Sequence, residues 1–455
     1  MKKLFFAFLF ISTIANAQYK IEGTLNPAEK YTWILLYKIE GARQVFIKNT
    51  TITKQKKLIL GKETTIGSFK FELPADAKKG MYRVTYDMRN NKFADFLFNK
   101  ENVSFTFNPK YPEQSISFEK SKENQLFQNY LTTISEIQKE TDSLQVSYIK
   151  TPQEQTKGLY KASLVRLKRV QTEYLNKSKG TLANSFIKAT NRYNLPEISP
   201  SARTYYNAIV SHFFDNIDFN NKDLYNSAFL VDRISDYVFY MNYSDDAKTQ
   251  ESLHKKAIAK SLSLIKDPVF KRDVIEFLIT QFKTGKKVTM VDFLFPTYYD
   301  KLPSGIQNKE FKTTILNDLK AEVGRIAPDF SWKENGKTQK LSTLKGAKNY
   351  ILVFWSTGCS HCLREIPVLY EKAKDLKNIK VVSFALERDD LDWNNFKTKL
   401  KGWHNAIGLN KWENKVARTY QIMSTPTYII LNADKKIIAK PEHLKDVEEF
   451  IKLLE

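Results

Sequence analysis

The residues with the clearest capacity for chemistry are the two cysteines of the chain, Cys359 and Cys362, which lie three positions apart. A thiol pair at this spacing can close a disulfide within one turn of the backbone. Cys359 would attack a disulfide in a partner protein, and Cys362 would then resolve the mixed disulfide. The spacing therefore predicts redox chemistry through a reversible dithiol.

Other uses of the pair fit the sequence less well. A structural zinc site needs about four ligands, and the chain has no second cysteine pair. Haem attachment needs a histidine directly after the second cysteine, where Leu363 stands instead. A structural disulfide at this spacing closes too short a loop to add much stability. A redox site that has lost its activity and a metal-handling dithiol remain as alternatives.

The surrounding pattern places the cysteines where a buried strand turns into a helix. Residues 349–355 form a continuous apolar run of strand length, and apolar residues recur at helical spacing from Leu363 to Ala373. The first turn of that helix directs unpaired N–H groups and the positive dipole end at Cys359, and both favour the nucleophilic thiolate. Cys362 lies one turn inside the helix, where burial would raise its pKa. Cys359 is therefore predicted to attack and Cys362 to resolve.

Several segments in the last third of the chain accompany the cysteine pair. In order they are GRIAPDF (324–330), GK (336–337), LSTLKG (341–346), WSTGCSHC (355–362), REIP (364–367) and STPT (424–427). Together they resemble the TlpA/ResA-like thioredoxin-fold thiol–disulfide oxidoreductases over residues 322–455. Gly358 departs from the family pattern, which usually has tryptophan immediately before the first cysteine.

The resemblance implies roles for neighbouring residues. Glu365 would lie beside the thiols and move protons to and from them; otherwise it is an ordinary first-turn glutamate favoured by the helix dipole. Thr425 and Pro426 would form a cis-proline loop that pairs with an extended substrate; the alternative is a trans-proline at a strand start. His361 corresponds to a histidine of disulfide-forming and isomerising relatives and would stabilise the Cys359 thiolate, unless it is a solvated loop residue. The predicted catalytic residues are Cys359, Cys362 and Glu365, and the predicted substrate-binding residues are Thr425, Pro426 and His361, with no metal ligand and no cofactor.

The N-terminus has the pattern of a secretory signal peptide. Two lysines precede an apolar stretch from Leu4 to Ile11, and Ala15 and Ala17 give the small-x-small pattern of a cleavage site. The stretch is shorter than the roughly 20 residues that span a bilayer. No later apolar run is long enough to be transmembrane. We therefore expect residues 1–17 to be removed and the mature chain to lie in an oxidising compartment, the bacterial periplasm, where few stray thiols are tolerated.

The length of 455 residues exceeds what one core supports and predicts several domains. Residues 18–118 contain short runs rich in aromatic and β-branched residues, separated by turn residues, which predict an all-β, sandwich-like domain. Residues 119–320 show apolar residues at helical spacing and predict a central α-helical region. Residues 322–455 are predicted to form an α/β thioredoxin fold. The first two parts resemble an uncharacterised β-rich domain and a helical region of secreted bacterial thioredoxin-like proteins.

The net charge of +22 is compatible with a lysine-rich solvated surface or with attraction to anionic envelope lipids and acidic partners. A secreted chain without a binding motif is not expected to bind nucleic acid.

The predicted function is that of a periplasmic thiol–disulfide oxidoreductase that reduces or isomerises disulfides of envelope proteins. The resemblance implies protein substrates and a membrane electron donor. The alternatives are a binding or scaffolding protein with a redox switch, and a peroxiredoxin-like peroxidase.

Peroxiredoxin-like enzymes place proline and threonine at fixed positions ahead of their reactive cysteine. This chain has Val353 and Ser356 at the corresponding positions. The sequence therefore favours disulfide exchange over peroxide reduction.

Overall fold

The computed structural model describes residues 19–59 and 61–454. The signal peptide predicted for residues 1–17 lies outside the described part. The chain divides into two compact units, one ending at Val274 and the other beginning at Ile275. In neither unit, over the described residues, is any helix both long enough and apolar enough to cross a membrane.

The first unit begins with a β-rich half. Its elements are β1 (Tyr19–Leu25), β2 (Trp33–Glu40), β3 (Arg43–Thr51), β4 (Thr53–Ile59), β5 (Lys62–Leu73), β6 (Gly80–Asp87), β7 (Lys92–Phe98), β8 (Val103–Phe107), α1 (Pro112–Ser115) and β9 (Ser117–Lys120). They form a five-stranded sheet in the order β4-β5-β1-β8-β9 and a four-stranded sheet in the order β3-β2-β6-β7.

The two sheets share one apolar core, as expected of a sandwich. On β1 and β2, alternate residues point inward; on β2, for example, Ile34 and Leu36 are fully buried. Phe69 and Phe105, from different strands of the five-stranded sheet, meet edge to face inside this core. The predicted all-β character of the N-terminal part is confirmed.

A helical part follows. Its helices are α2 (Lys122–Lys150), α3 (Glu154–Lys177), α4 (Ala183–Ala189), α5 (Ala202–Ser211), α6 (Lys222–Tyr225), α7 (Phe229–Ser235), α8 (Ala247–Leu264) and α9 (Pro268–Thr284), with a π-helical turn at Asp236–Tyr240. The aromatic run 212–219 lies in the connection from α5 to α6, where Phe214 and Phe219 are buried. Not every apolar residue of these helices is buried: Val165 on α3 is 69% exposed. The predicted helical character of this part is confirmed.

The start of α2 is tied to the β-sandwich by polar contacts. Ser121 caps the helix by accepting a hydrogen bond from the Asn124 backbone N–H. The buried Asn124 amide then hydrogen-bonds both backbone groups of Leu97 on β7, accepting from its N–H at 2.7 Å and donating to its carbonyl at 2.7 Å. Among the described strands, β7 pairs with β6 alone. Asn124 therefore satisfies backbone groups on the open edge of β7.

The second unit contains the elements α10 (Val288–Thr297), α11 (Lys309–Asp318), β10 (Ser331–Glu334), β11 (Lys337–Lys340), β12 (Asn349–Trp355), α12 (Ser360–Ala373), β13 (Ile379–Glu387), α13 (Leu391–Phe396), β14 (His404–Leu409), α14 (Lys415–Thr419), β15 (Thr427–Asn432), β16 (Ile437–Ala439) and α15 (Leu444–Leu454). Five strands form one mixed sheet in the order β14-β13-β12-β15-β16. β12 runs parallel to β13 and antiparallel to β15. β10 and β11 pair separately as a hairpin.

The central strand β12 is buried on both faces, which explains its continuous apolar sequence. Its odd-numbered residues, such as Val353 and Trp355, pack in a cluster with residues of α12 and α15. Its even-numbered residues, such as Leu352 and Phe354, pack in a second cluster on the opposite face. This is the predicted α/β thioredoxin-like fold, and it places the carboxyl end of β12 directly before the cysteine pair.

Candidate active site

The loop from β12 to α12 places Cys359 at the start of the helix. Cys359 is the N-cap residue of α12, and its Sγ accepts a hydrogen bond from the backbone N–H of Cys362 at 3.3 Å. Apolar residues of the next turns, Ile366 and Leu369, fix the helix against the sheet. The thiol therefore lies at the positive end of a helix whose orientation the core determines.

The two thiols have different surroundings. Cys359 is partly exposed, whereas Cys362 is fully buried. Burial acts to raise the pKa of the Cys359 thiol, but hydrogen bonds from Cys362 and the neighbouring backbone outweigh it and lower that pKa below the ordinary value. Burial, aided by the hydrogen bond with Cys359, raises the pKa of Cys362 to about 12. At neutral pH Cys359 is therefore the better nucleophile.

Thr425 and Pro426 lie opposite the thiols, immediately before β15. The Thr425–Pro426 peptide bond is cis. The Thr425 carbonyl oxygen accepts a hydrogen bond from Cys359 Sγ at 3.3 Å. Both residues are half-buried. The structure thus brings this predicted pair of residues together with the Cys359 thiol.

Glu365 lies on the same side of α12 as Cys362, one turn further along, and is half-buried. Its Oε2 accepts a hydrogen bond from the Tyr428 hydroxyl at 2.8 Å. Tyr428 belongs to β15 and is 1% exposed. Residues 428–431 form an apolar run that predicts a strand, and this pattern alone gives Tyr428 no role in the site. Its place in the site depends on the pairing of Val353 with Tyr428 across β12 and β15, which local patterns do not specify.

His361 is exposed and turned towards its own helix. Its Nδ1 lies 3.1 Å from Nη2 of Arg364. Since a guanidinium can only donate hydrogen bonds, Nδ1 is the acceptor in this contact. His361 is near the thiols in sequence, but the contact described for its ring is with Arg364 on the exposed side of α12.

Glu387, a residue that sequence reasoning missed, supports the loop before Cys359. It ends β13 and is 5% exposed. One carboxylate oxygen accepts from the Thr357 backbone N–H at 2.6 Å, and the other accepts from the Ser356 hydroxyl at 3.3 Å. The available signal was an acidic residue at the carboxyl end of an apolar strand, the edge at which parallel strands carry their functional groups.

Gly358 leaves space beside Cys359. A Cβ atom at Gly358 would lie 3.6 Å from Lys411 Nζ, which is an ordinary contact distance. The ammonium group of Lys411 therefore lies close to the position where the family pattern has tryptophan. This cation was not anticipated from the sequence, because Lys411 lies in a distant turn.

Trp355 lies at the end of β12 and is fully buried in the same cluster as Cys362. Its indole N–H donates to the buried Ser383 hydroxyl at 2.7 Å. Trp355 thus packs in the core cluster that also contains the Cys362 thiol. Within residues 19–59 and 61–454, no group of three or more His, Cys, Asp or Glu side chains could hold a metal ion.

A thioredoxin-like α/β fold with an exposed thiol at a helix start and a buried thiol one turn later defines a thiol–disulfide oxidoreductase. A family model described as the AhpC/TSA family matches residues 323–440. The chain is 31% identical over 145 residues to the thiol-disulfide oxidoreductase ResA of Bacillus thuringiensis subsp. konkukian, covering 30% of this chain and 82% of that protein. The chain therefore belongs to the ResA family of thiol–disulfide oxidoreductases.

Two further proteins are each similar to 29% of this chain. The ResA of Bacillus cereus is 31% identical over 140 residues, covering 29% of this chain and 79% of that protein. The crystal structure of a domain of a possible thiol-disulfide isomerase from Cytophaga hutchinsonii is 31% identical, covers 29% of this chain and 92% of that chain, and has a TM-score of 0.25.

Proposed function

We propose that this enzyme works in the bacterial periplasm and reduces or isomerises disulfides of envelope proteins through Cys359 and Cys362. The observation that carries the proposal is the opposite shift of the two thiol pKa values at one helix start. A low pKa suits a thiol that must attack from solvent. A high pKa keeps the second thiol protonated until the first has reacted.

The proposed reaction transfers two electrons from the dithiol to a substrate disulfide. The Cys359 thiolate attacks one substrate sulfur; a mixed disulfide forms, the substrate S–S bond breaks, and the other substrate sulfur leaves as a thiolate that takes up a proton. Cys362 then loses its proton and attacks Cys359 Sγ. The Cys359–Cys362 disulfide forms, and the first substrate sulfur leaves as a thiol. A reductant, proposed to be a membrane electron donor, returns two electrons and two protons.

Thr425, Pro426 and His361 are proposed to contact the substrate. The Thr425 carbonyl is already within hydrogen-bond distance of Cys359 Sγ, so a polypeptide bonded to that sulfur must pass beside Thr425. Two residues before it, Met423 is 88% exposed, which offers apolar surface to a protein substrate. Glu365 is proposed as the group that accepts the Cys362 proton.

The experiment compares two cysteine variants of the full mature chain. Cys359→Ala should abolish reduction of insulin disulfides, because no exposed thiolate remains. Cys362→Ala should allow one attack and accumulate mixed disulfides that a thiol reagent releases. Ser360→Ala is the matched control. It changes an exposed residue next to Cys359 and removes neither thiol, so this variant should behave as wild type. Full activity of Cys359→Ala would overturn the proposal.

The same assays separate this function from the alternatives. Consumption of hydrogen peroxide without insulin reduction would indicate a peroxidase. Stable partner capture by Cys359→Ala, in which no mixed disulfide can form at that position, would indicate a binding or scaffolding protein with a redox switch.

The periplasmic location rests on the signal-peptide pattern of residues 1–17. When the full chain is expressed in a Gram-negative bacterium, the periplasmic fraction should contain a mature protein that begins at Gln18. An uncleaved N-terminus in the cytoplasmic fraction would contradict this location.

We further propose that residues 18–118, 119–320 and 322–455 are the domains of the mature chain.

A further inference from the structure

Tyr428 makes a hydrogen bond that sets it apart from Tyr350 and Tyr420, the other buried tyrosines described in residues 322–455. The hydroxyl of Tyr350 on β12 donates to the Leu344 carbonyl at 3.0 Å, and that of Tyr420 donates to the Pro328 carbonyl at 2.5 Å. Tyr428 instead donates to a carboxylate, Oε2 of Glu365, at 2.8 Å. A hydrogen bond to an ionised acceptor is stronger and more directional than one to a neutral carbonyl.

The phenol can act as a constant donor. Burial is the largest of the effects that raise the pKa of Tyr428, and the hydrogen bond and charge of Glu365 and the nearby thiols of Cys362 and Cys359 raise it further. Tyr428 therefore keeps its proton over the whole range in which the thiols exchange theirs.

From β12 and α15, the apolar residues Trp355, Val447 and Ile451 belong to the same core cluster as Tyr428 and Cys362. From β13 the acidic Glu387 faces the loop before the cysteines and bonds Thr357 and Ser356.

Two cations lie near the loop and helix that carry the cysteines. The Lys411 ammonium lies beside Gly358, and Arg364 is engaged with His361 on the exposed side of α12. The hydrogen bond described for the Glu365 carboxylate is the one that the Tyr428 hydroxyl donates.

We propose that Tyr428 is a positioning residue that holds the Glu365 carboxylate beside Cys362 for the resolving step. This proposal rests on the proposed function, since it requires the dithiol to exchange disulfides. In that step the Cys362 proton passes to Glu365, the Cys362 thiolate bonds to Cys359 Sγ, and the bond from Cys359 to the substrate breaks. The released substrate sulfur takes up a proton. Glu365 then gives up the proton that it took from Cys362 and returns to its starting state.

Positioning by Tyr428 should affect the second step and not the first. Attack by Cys359 needs only its own thiolate, whereas resolution needs the buried Cys362 to lose a proton. Reaction with the aromatic disulfide dithionitrobenzoate separates the two steps. The first attack releases one coloured thiolate, and resolution by Cys362 releases the second.

The test compares Tyr428→Phe with Tyr350→Phe, each of which removes one buried hydroxyl from the same sheet. Tyr428→Phe should leave the first release unchanged and slow the second by about tenfold at neutral pH, which corresponds to the loss of one hydrogen bond of ordinary strength. Its pH profile for the second release should move to higher pH. Tyr350→Phe should change neither release, although it lowers the denaturation midpoint to a similar extent.

A double variant distinguishes positioning from an independent effect. If Tyr428 acts through Glu365, then Tyr428→Phe should add no further slowing in a Glu365→Gln background. Additive slowing, or an unchanged pH profile in Tyr428→Phe, would overturn the proposal. Loss of the first release in the Tyr428 and Glu365 variants alike would also overturn it. If the wild type releases no second thiolate at all, the dithiol function itself fails.

Discussion

The two thiols are three residues apart, yet their environments shift their pKa values in opposite directions. The difference arises from position along one helix turn. Cys359 caps the helix and accepts a backbone hydrogen bond, while Cys362 points into an apolar cluster. The sulfur that meets solvent is therefore the one that ionises first.

This contrast predicts the order in which iodoacetamide modifies the reduced protein. Thiolate is the reactive form, so the lowered pKa of Cys359 should give it an alkylation profile with a midpoint below the ordinary thiol value of 9.0. Cys362 should stay unmodified until the pH approaches 12. Peptide mass spectrometry after timed quenching measures both rates. Unfolding in denaturant should equalise them, and modification of Cys362 first in the native protein would reverse the assigned roles.

The site residues that could be predicted are those whose position depends on local sequence. Cys359, Cys362 and Glu365 lie on one helix, and helical spacing alone places them on neighbouring turns. Tyr428 and Glu387 reach the site from other strands. Their arrival depends on which strands are neighbours and on the register between them, and a one-residue shift in register would turn either side chain away.

At the scale of elements, the turn from β12 to α12 depends on a strand that is not its sequence neighbour. Glu387, at the end of β13, accepts hydrogen bonds from Thr357 and Ser356. The loop that carries the attacking thiol is thus fixed to the adjacent strand. Its geometry should change when that acceptor is lost.

We expect Glu387→Ala to destabilise the protein by about 1–3 kcal/mol, because it leaves the Thr357 N–H without a partner in a largely buried place. Glu387→Gln keeps an acceptor oxygen and should lose less. Chemical denaturation of the reduced proteins measures both changes. If the alanine and glutamine variants were equally stable, the hydrogen bonds to Thr357 and Ser356 would not be what holds the loop.

The type of most elements followed from sequence pattern, but their partners did not. The apolar run 349–355 coincides with β12, because a strand buried on both faces needs no polar alternation. On α2, by contrast, the buried residues include Glu123, Asn124 and Gln145. A pattern search for apolar faces passes over such side chains, since hydrogen bonds to groups distant in sequence, such as the backbone of Leu97 and Ser199, offset the cost of burying them.

At the scale of the whole molecule, the redox part has its own apolar cores. The two clusters that enclose the mixed sheet draw all their described buried members from residues between Ala321 and Ile451. Neither cluster needs a side chain from the β-sandwich or from the helices before Ala321. The compact unit itself begins earlier, at Ile275.

We therefore predict that a fragment of residues 320–455 folds alone and keeps the dithiol chemistry. It should unfold cooperatively in denaturant and reduce insulin at a rate within about twofold of the mature chain, because both thiols retain their surroundings. A fragment of residues 275–455 is the matched control and should differ little, since the ion pair of Arg325 with Asp292 is largely exposed. A shorter fragment without a cooperative transition would show that the helices before Ala321 are needed for folding.

The contact of Asn124 with Leu97 has a consequence for how copies of this chain meet. An unpaired strand edge is a template on which another chain can add a strand, and such additions lead to aggregates. The Asn124 amide occupies both backbone groups of Leu97 on the open edge of β7, as a neighbouring strand would. One side chain at a helix start thereby occupies the position at which another chain could add a strand, and we expect this amide to limit aggregation at high concentration although it takes no part in the redox reaction.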